Sequence, residues 1–231
     1  MNTAIDDASV SSYLDTIVAR ARIALADNLV GAYAIGSLAT GGYVPGSSDI
    51  DVLLLVDAPL TQATKESLVA TLRHRALPCP TRGLELVIYR RDAVRIGTTA
   101  PAFELELNDG PAMPFRQTFD PADRPADDGT FWYALDRDIA RQTALVLVGP
   151  PAAETFGALS EADIAAVIAE ANRWHDEHVP DSDDAVRNAR RGRVRVETGR
   201  WLPKRVSAPR RERPRTPHRH GRADRRPGAA P

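Results

Sequence analysis

The sequence predicts an α+β protein in which a small mixed sheet with flanking helices is followed by a helical segment and a disordered basic tail. Three observations predict it. Between residues 10 and 90, segments of helical spacing and apolar runs of strand length follow one another as helix, strand, strand, helix, strand. That order lays helices against one sheet. Gly149-Pro150-Pro151 then punctuates the chain before a further helical pattern. Residues 207–231 are rich in Arg, Pro and His with almost no hydrophobe, a composition that cannot bury a core. The domains read as 1–150, 151–206 and the tail 207–231.

The elements follow in order. From Ser11 to Leu29, apolar residues at Leu14, Ile17, Val18, Ala21, Ile23, Ala24 and Ala26 keep helical spacing, with Ser11 or Ser12 as cap. Ala32 to Ile35, preceded by Leu29-Val30, is a strand that ends at Gly36, where the missing Cβ lets a phosphate approach the backbone. Ser37 is placed at the N-cap of a short turn through Thr40, a position suited to an anion. The turn residues Gly41-Gly42 and Pro45 to Ser48 return the chain into Val52 to Val56, an unbroken apolar run typical of a strand buried on both faces.

Thr61 to Ala76 reads as an amphipathic helix through Leu68, Val69 and Leu72, and Gly83 to Tyr89 as another strand. Phe103 to Leu107 alternates as a further strand, with Glu104 and Glu106 sharing one face; a solvated face is preferred over a substrate groove. Residues 108–129, rich in Pro, Asp and Gly, read as a long irregular connection. Phe131 to Thr143 is helical, and Ala144 to Val148 is a short apolar run. Ser160 to Asp163 opens a helix that reaches about His175.

Three carboxylates carry the chemistry. Asp49 and Asp51 lie two residues apart at the mouth of the buried strand and so point to one face. Two such acids grip one hard cation, and Mg²⁺ accepts one or two carboxylates while taking its other ligands from phosphate and water. Glu85 is the only charge inside the alternation Leu84 to Tyr89, and a lone acid there is expected to pair or to bind metal; the alternatives are an edge-strand Glu85 facing water and Asp49 and Asp51 on a solvated face. Together they form a trio able to hold Mg²⁺ and take a proton from an attacking hydroxyl.

Gly36-Ser37, the Gly41-Gly42 turn, Ser48-Asp49-Ile50-Asp51 and Leu84-Glu85-Leu86 resemble the signature of the DNA polymerase β-like nucleotidyltransferases. Within that superfamily the chain is most similar to the aminoglycoside (3'')(9)-adenylyltransferases, the streptomycin and spectinomycin resistance enzymes. The similarity covers about 10–205 and includes Leu145 to Phe156, at the join between domains, and Thr198 to Lys204. It implies Mg²⁺-dependent transfer of AMP from ATP to a hydroxyl of a small-molecule antibiotic. Asp49 and Asp51 would hold the metal on the triphosphate, with Glu85 beside them as general base. Gly36 and Ser37 would contact phosphate, and Arg191 and Lys204 align approximately with triphosphate-contacting residues. Asp181 matches an acidic substrate-binding position, and Trp174 is placed to stack on a sugar ring. The alternatives are a nucleotidyltransferase that AMPylates a protein and an inactive nucleotide-binding remnant with a basic interaction tail.

Against that family pattern, the stretch Arg187 to Arg195, with Gly192 in the middle, would make a poor core helix. The helical domain therefore reads as shortened, and the tail as the product of a shifted reading frame or, less favoured, a nucleic-acid-binding arm. His175 and His178 read as a frayed helix end rather than metal ligands.

Residues 187–231 hold 16 of the 30 basic residues and 3 of the 31 acidic ones, a formal +13, which leaves 1–186 at a formal −14. An acidic body attracts a polycationic small molecule and is a poor surface for nucleic acid. Hydrophobic content of 43% supports a real core. The lone Cys79, between Pro78 and Pro80, excludes an intramolecular disulfide and fits a cytoplasmic protein. There is no secretory signal and no apolar run long enough to span a membrane, and a monomer is expected.

Overall fold

The computed structural model describes residues 7–180 and 182–202; the tail 207–231, Asp181 and Lys204 lie outside the described residues. The strands are β1 (Leu29–Ala34), β2 (Ile50–Val56), β3 (Leu84–Arg90), β4 (Phe103–Gly110), β5 (Met113–Thr118) and β6 (Leu145–Val148). They form one mixed sheet in the order β5-β4-β3-β2-β1-β6. The β2–β3 pair is parallel, and the other neighbouring pairs are antiparallel.

The helices are α1 (Ala8–Leu25), α2 (Gly36–Ala39), α3 (Gln62–Leu72), α4 (Arg91–Arg95), α5 (Phe131–Thr143), α6 (Ala152–Thr155), α7 (Glu161–His178) and α8 (Asp183–Thr198). None of these is long and apolar enough to cross a membrane.

Strand alternation sorts the core into layers. Val52, Leu54, Leu86 and Ile88 pack beneath Leu14 and Ile17 of α1 and Leu68 and Leu72 of α3. On the opposite face Leu53, Leu55, Val87 and Tyr89 pack against Tyr133 and Ala140 of α5 and against Phe156. The apolar run of β2 is thus buried on both sides, as its composition predicts. Asp51 and Glu85 share the parity of Leu53 and Val87, so they lie on the α5 face at the starts of their strands. A third cluster joins Phe131, Leu135 and Ile139 of α5 to Ile164, Val167 and Ile168 of α7 and to Trp201.

Several local expectations change. The cap of α1 is Asp7, whose Oδ1 accepts from the N–H groups of Ser9 (3.0 Å) and Val10 (3.3 Å), rather than Ser11 or Ser12. α3 stops at Leu72, and the next turn is drawn off by Asp109, whose Oδ2 accepts from His74 N–H at 2.8 Å. The segment 108–129 contains the end of β4 and all of β5. Glu104 and Glu106 do not share a face, because the register shifts between Ile88 and Tyr89 opposite them. Glu104 turns to Lys65 of α3 at 3.5 Å, while Glu106 enters the α5 side.

The Arg-rich segment is the largest departure. It forms α8, with Ser182 accepting from Ala185 N–H at 3.0 Å at its start and Gly199 left-handed (φ 72°) at its end. A Cβ on Gly192 would lie 2.6 Å from Ile168 Cγ2, so glycine lets α8 sit close on α7. Arg195 is buried but neutralised: Nε donates to Asp138 Oδ2 at 2.8 Å and Nη1 to Glu161 Oε2 at 3.1 Å. Trp201 Nε1 donates to the same Asp138 oxygen at 2.7 Å. Arg195 is tolerated in this core because its buried charge finds opposite ones, whereas Arg191 is held by a carbonyl and the Trp201 ring. Asp138→Ala would leave Arg195 only the largely exposed Glu161 and take the acceptor from Trp201 Nε1, and is expected to cost about 3 kcal/mol. A thermal melt checks this, with the last turn of α8 losing amide-exchange protection first.

Candidate active site

Across four neighbouring strands the register places Asp51 beside Glu85, Glu85 beside Asn108, and Asn108 beside Arg116. Residues directly opposite one another share a sheet face. The four therefore form a polar row at the end of the α5-side apolar stripe. They line a cleft of about 520 Å³ whose other wall comes from α5, α7 and α8. Asp49, just before β2, and Gly36 line the same cleft.

The turn after β1 is built around Asp51. Ile35 N–H donates to the Asp51 carbonyl at 3.0 Å, drawing the turn against β2. Gly36 has φ 63°, and a Cβ there would fall 1.9 Å from Asp51 Oδ2. Only glycine satisfies both the left-handed backbone and this approach. Gly36→Ala is expected to cost about 1–3 kcal/mol through backbone strain and to displace Asp51. A melt and a transfer assay on the same preparation check this, with activity falling further than stability explains.

Ser37 is not the N-cap: Ile35 takes that position and Gly36 begins the turn. The Ser37 hydroxyl is buried and has no hydrogen-bond partner. A buried hydroxyl without a partner is costly, which suits a group that meets a ligand oxygen. Arg82 Nη1 stands 4.0 Å from Asp49 Oδ2 on a half-exposed side chain, a weak pair in solvent. Glu85 is exposed on its strand.

Among the described residues, no three His, Cys, Asp or Glu side chains gather closely enough to cage an ion. A protein cage is not what Mg²⁺ with a bound phosphate requires, since one or two carboxylates suffice. The hard oxygens of Asp49 and Asp51, the glycine cradle beside Asp51 and the unpartnered Ser37 hydroxyl fit a metal-bound triphosphate.

The facing wall is aromatic and acidic. Trp174, on α7, donates from Nε1 to Asp127 O at 2.7 Å, stands edge-on to Trp132 at 5.5 Å and stacks on His178 at 4.6 Å. His175 is buried, with Nδ1 2.7 Å from Ala171 O and Nε2 3.3 Å from Asn188 Nδ2. The helix end is therefore packed rather than frayed. Arg191 is buried at the cleft, donates from Nε to Leu202 O at 2.9 Å and lies 5.5 Å from the Trp201 ring centroid. Burial lowers its pKa, and the Asp136 carboxylate nearby opposes that shift.

The structure thus brings Gly36, Asp49, Asp51, Glu85, Trp174 and Arg191 to one cleft, with Ser37 next in the chain.

A second charged group was missed by sequence reasoning. Glu106 is buried and accepts from Arg124 Nη1 at 2.7 and 2.8 Å, Arg116 Nη2 at 3.3 Å and Thr118 Oγ1 at 3.1 Å. Asp128 pairs with Arg116 Nη1 at 2.8 Å and Arg124 Nη2 at 3.4 Å. Burial works against the Arg124 charge, yet Glu106 and the Tyr133 oxygen beside it raise its pKa overall. Burial and the Glu106 charge push the Tyr133 phenol up, so it stays neutral. The signal was present in the sequence: Glu106, like Glu85, is an acid inside an apolar alternation.

Residues 20–92, which include Gly36, Asp49, Asp51 and Glu85, match the nucleotidyltransferase domain family. Among solved structures the chain is similar to the spectinomycin adenyltransferase AAD(9) from Enterococcus faecialis, determined with ATP and spectinomycin. The TM-score is 0.62 at 18% identity, over 85% of this chain and 80% of that one. At that identity the likeness speaks to the fold. Comparison with curated proteins gives no significant match.

Proposed function

We propose that the protein transfers AMP from ATP to a hydroxyl of an aminoglycoside or aminocyclitol antibiotic, releasing pyrophosphate. The observation that carries this reading is the side-by-side placement of Asp51 and Glu85 at the mouth of a cleft closed by the helical wall. Asp49 and Asp51 would hold Mg²⁺ on the triphosphate, with Glu85 as the third carboxylate beside them. The bound ion would neutralise charge as pyrophosphate departs.

Glu85 accepts the proton of the acceptor hydroxyl. The oxygen attacks the α-phosphorus, a P–O–C bond forms, and the bond from the α-phosphorus to the bridging oxygen breaks, with its electrons leaving on pyrophosphate. Gly36 and Ser37 cradle phosphate oxygens, and Arg191 supplies positive charge from α8. Lys204, beyond the described residues, is proposed for the same role. Most of the rate comes from positioning and charge stabilisation, which a cleft built on rigid strands supplies. On the acceptor side, acids outnumber bases in the cleft lining, which suits a cationic ligand. Trp174 offers a ring face, and Asp181 is proposed as an acidic contact.

Two structural features favour this reading over an inactive remnant. α7 packs on α5 and α8 packs on α7, and all three line the cleft, so among the described residues a second wall is formed. Incubation with ATP, Mg²⁺ and either streptomycin or spectinomycin tests the reading. Pyrophosphate release that depends on the drug is expected. Release without drug, accompanied by AMP on protein, would point instead to protein AMPylation.

A further inference from the structure

A transferase of this kind must place the acceptor hydroxyl at Glu85, and the sheet fixes what lies beyond that point. Along the polar row Asp51 marks the triphosphate end. Asn108 and Arg116 continue outward on β4 and β5, one and two strand spacings from Glu85, roughly 5 and 10 Å. An acceptor seated on Glu85 therefore extends over Asn108 and Arg116.

The chemistry there differs from the rest of the acidic cleft. Arg116 and Arg124 share Glu106 and Asp128, so two guanidiniums face two carboxylates and the cluster has no net charge. The Arg116 side chain is still 41% exposed. Its Nε is buried, so the exposed part is the Nη edge, and Asn108 accepts from Nη2 at 3.0 Å in the amide orientation that satisfies both groups. This floor offers a ligand hydrogen-bond donors and a positive edge. The carboxylates Asp136 and Asp184 lie on the opposite wall, on α5 and α8.

Resting on the transfer reading above, we propose that Arg116 is a specificity-determining residue. It donates to uncharged oxygens, whether hydroxyl, ether or carbonyl, on the part of the acceptor lying about one ring beyond the reactive hydroxyl. A cation placed there meets a like charge and is disfavoured. The acceptor class is a compact molecule whose ammonium groups stay near the reactive hydroxyl and the helical wall, joined to an uncharged, oxygen-rich ring.

Two antibiotics separate the cases. Spectinomycin joins its diamino ring to an uncharged oxygenated ring, whereas the rings of streptomycin beyond its amino sugar end in two guanidinium groups. Initial rates of transfer are measured for both with the native protein, Arg116→Ala and Arg116→Lys, together with KM for ATP. The native kcat/KM is expected to favour spectinomycin. Arg116→Ala should lower the spectinomycin value about tenfold, the worth of a charge-assisted hydrogen bond. It should move the ratio toward streptomycin and leave KM for ATP unchanged. Arg116→Lys keeps the charge without the planar fork, so it should still disfavour streptomycin while recovering only part of the spectinomycin rate. If Arg116→Ala fails to fold, this lysine variant decides.

A native preference for streptomycin, an equal fall for both drugs, or a rise in KM for ATP overturns the assignment. If the native protein transfers AMP to neither drug, the transfer reading fails first and the assignment with it.

Discussion

Asp51→Asn is expected to abolish AMP transfer, lowering kcat/KM by roughly 10³-fold or more, the scale seen when a group that stabilises transition-state charge is removed. The substitution keeps the size of the side chain. The close passage of Gly36 over Asp51 Oδ2 is therefore preserved, and the turn after β1 should hold its shape. What is lost is the negative charge at the inner end of the polar row, where a cation on the triphosphate would sit. Asp49→Asn should cost less, because Asp49 lies outside β2 with 24% of its side chain exposed and already faces Arg82. Transfer rates at saturating ATP over a range of Mg²⁺ concentrations check both. The Asp51 variant should stay inactive at high Mg²⁺, and the Asp49 variant should recover in part.

Glu85→Gln is expected to lower kcat by about 10²- to 10⁴-fold while leaving the affinity for ATP largely unchanged. Glu85 is exposed on β3, one strand away from Asp51, so the amide leaves the core untouched and stability should move by no more than about 0.5 kcal/mol. Calorimetric titration with a non-hydrolysable ATP analogue, run beside the rate measurement, separates binding from chemistry. Near-normal turnover in this variant would mean that Glu85 is not the base.

The sheet and its first acids were legible because their patterns are local. The unbroken run Val52 to Val56, bounded by turn residues, has the composition of a doubly buried strand, and acids two residues apart at its mouth fall on one face of it. Glu85 stood out as a lone charge. What the sequence did not reveal depended on partners distant along the chain. Glu106 looked solvated because Arg116 and Arg124, which neutralise it, lie 10 and 18 residues further on, in a stretch whose Pro and Gly content masked β5. The register shift that separates Glu104 from Glu106 has no signature in an alternating pattern.

α8 failed as a sequence expectation for a related reason. Arginines in a core are normally prohibitive, and the acids that make Arg195 tolerable sit on two other helices, at Asp138 and Glu161. Gly192, counted against the helix, is what lets it approach Ile168.

On the proposed function, this carboxylate row moves the α-phosphoryl group of ATP, as AMP, onto a small acceptor. Parallel reactions with ATP labelled at the α- or the γ-phosphate, in the presence of Mg²⁺ and spectinomycin or streptomycin, test it most directly. Label from the α-position should appear on a drug, while label from the γ-position should appear in pyrophosphate and never on the drug. Label reaching the drug from the γ-position, or no label on either drug from the α-position, would rule out AMP transfer to these acceptors.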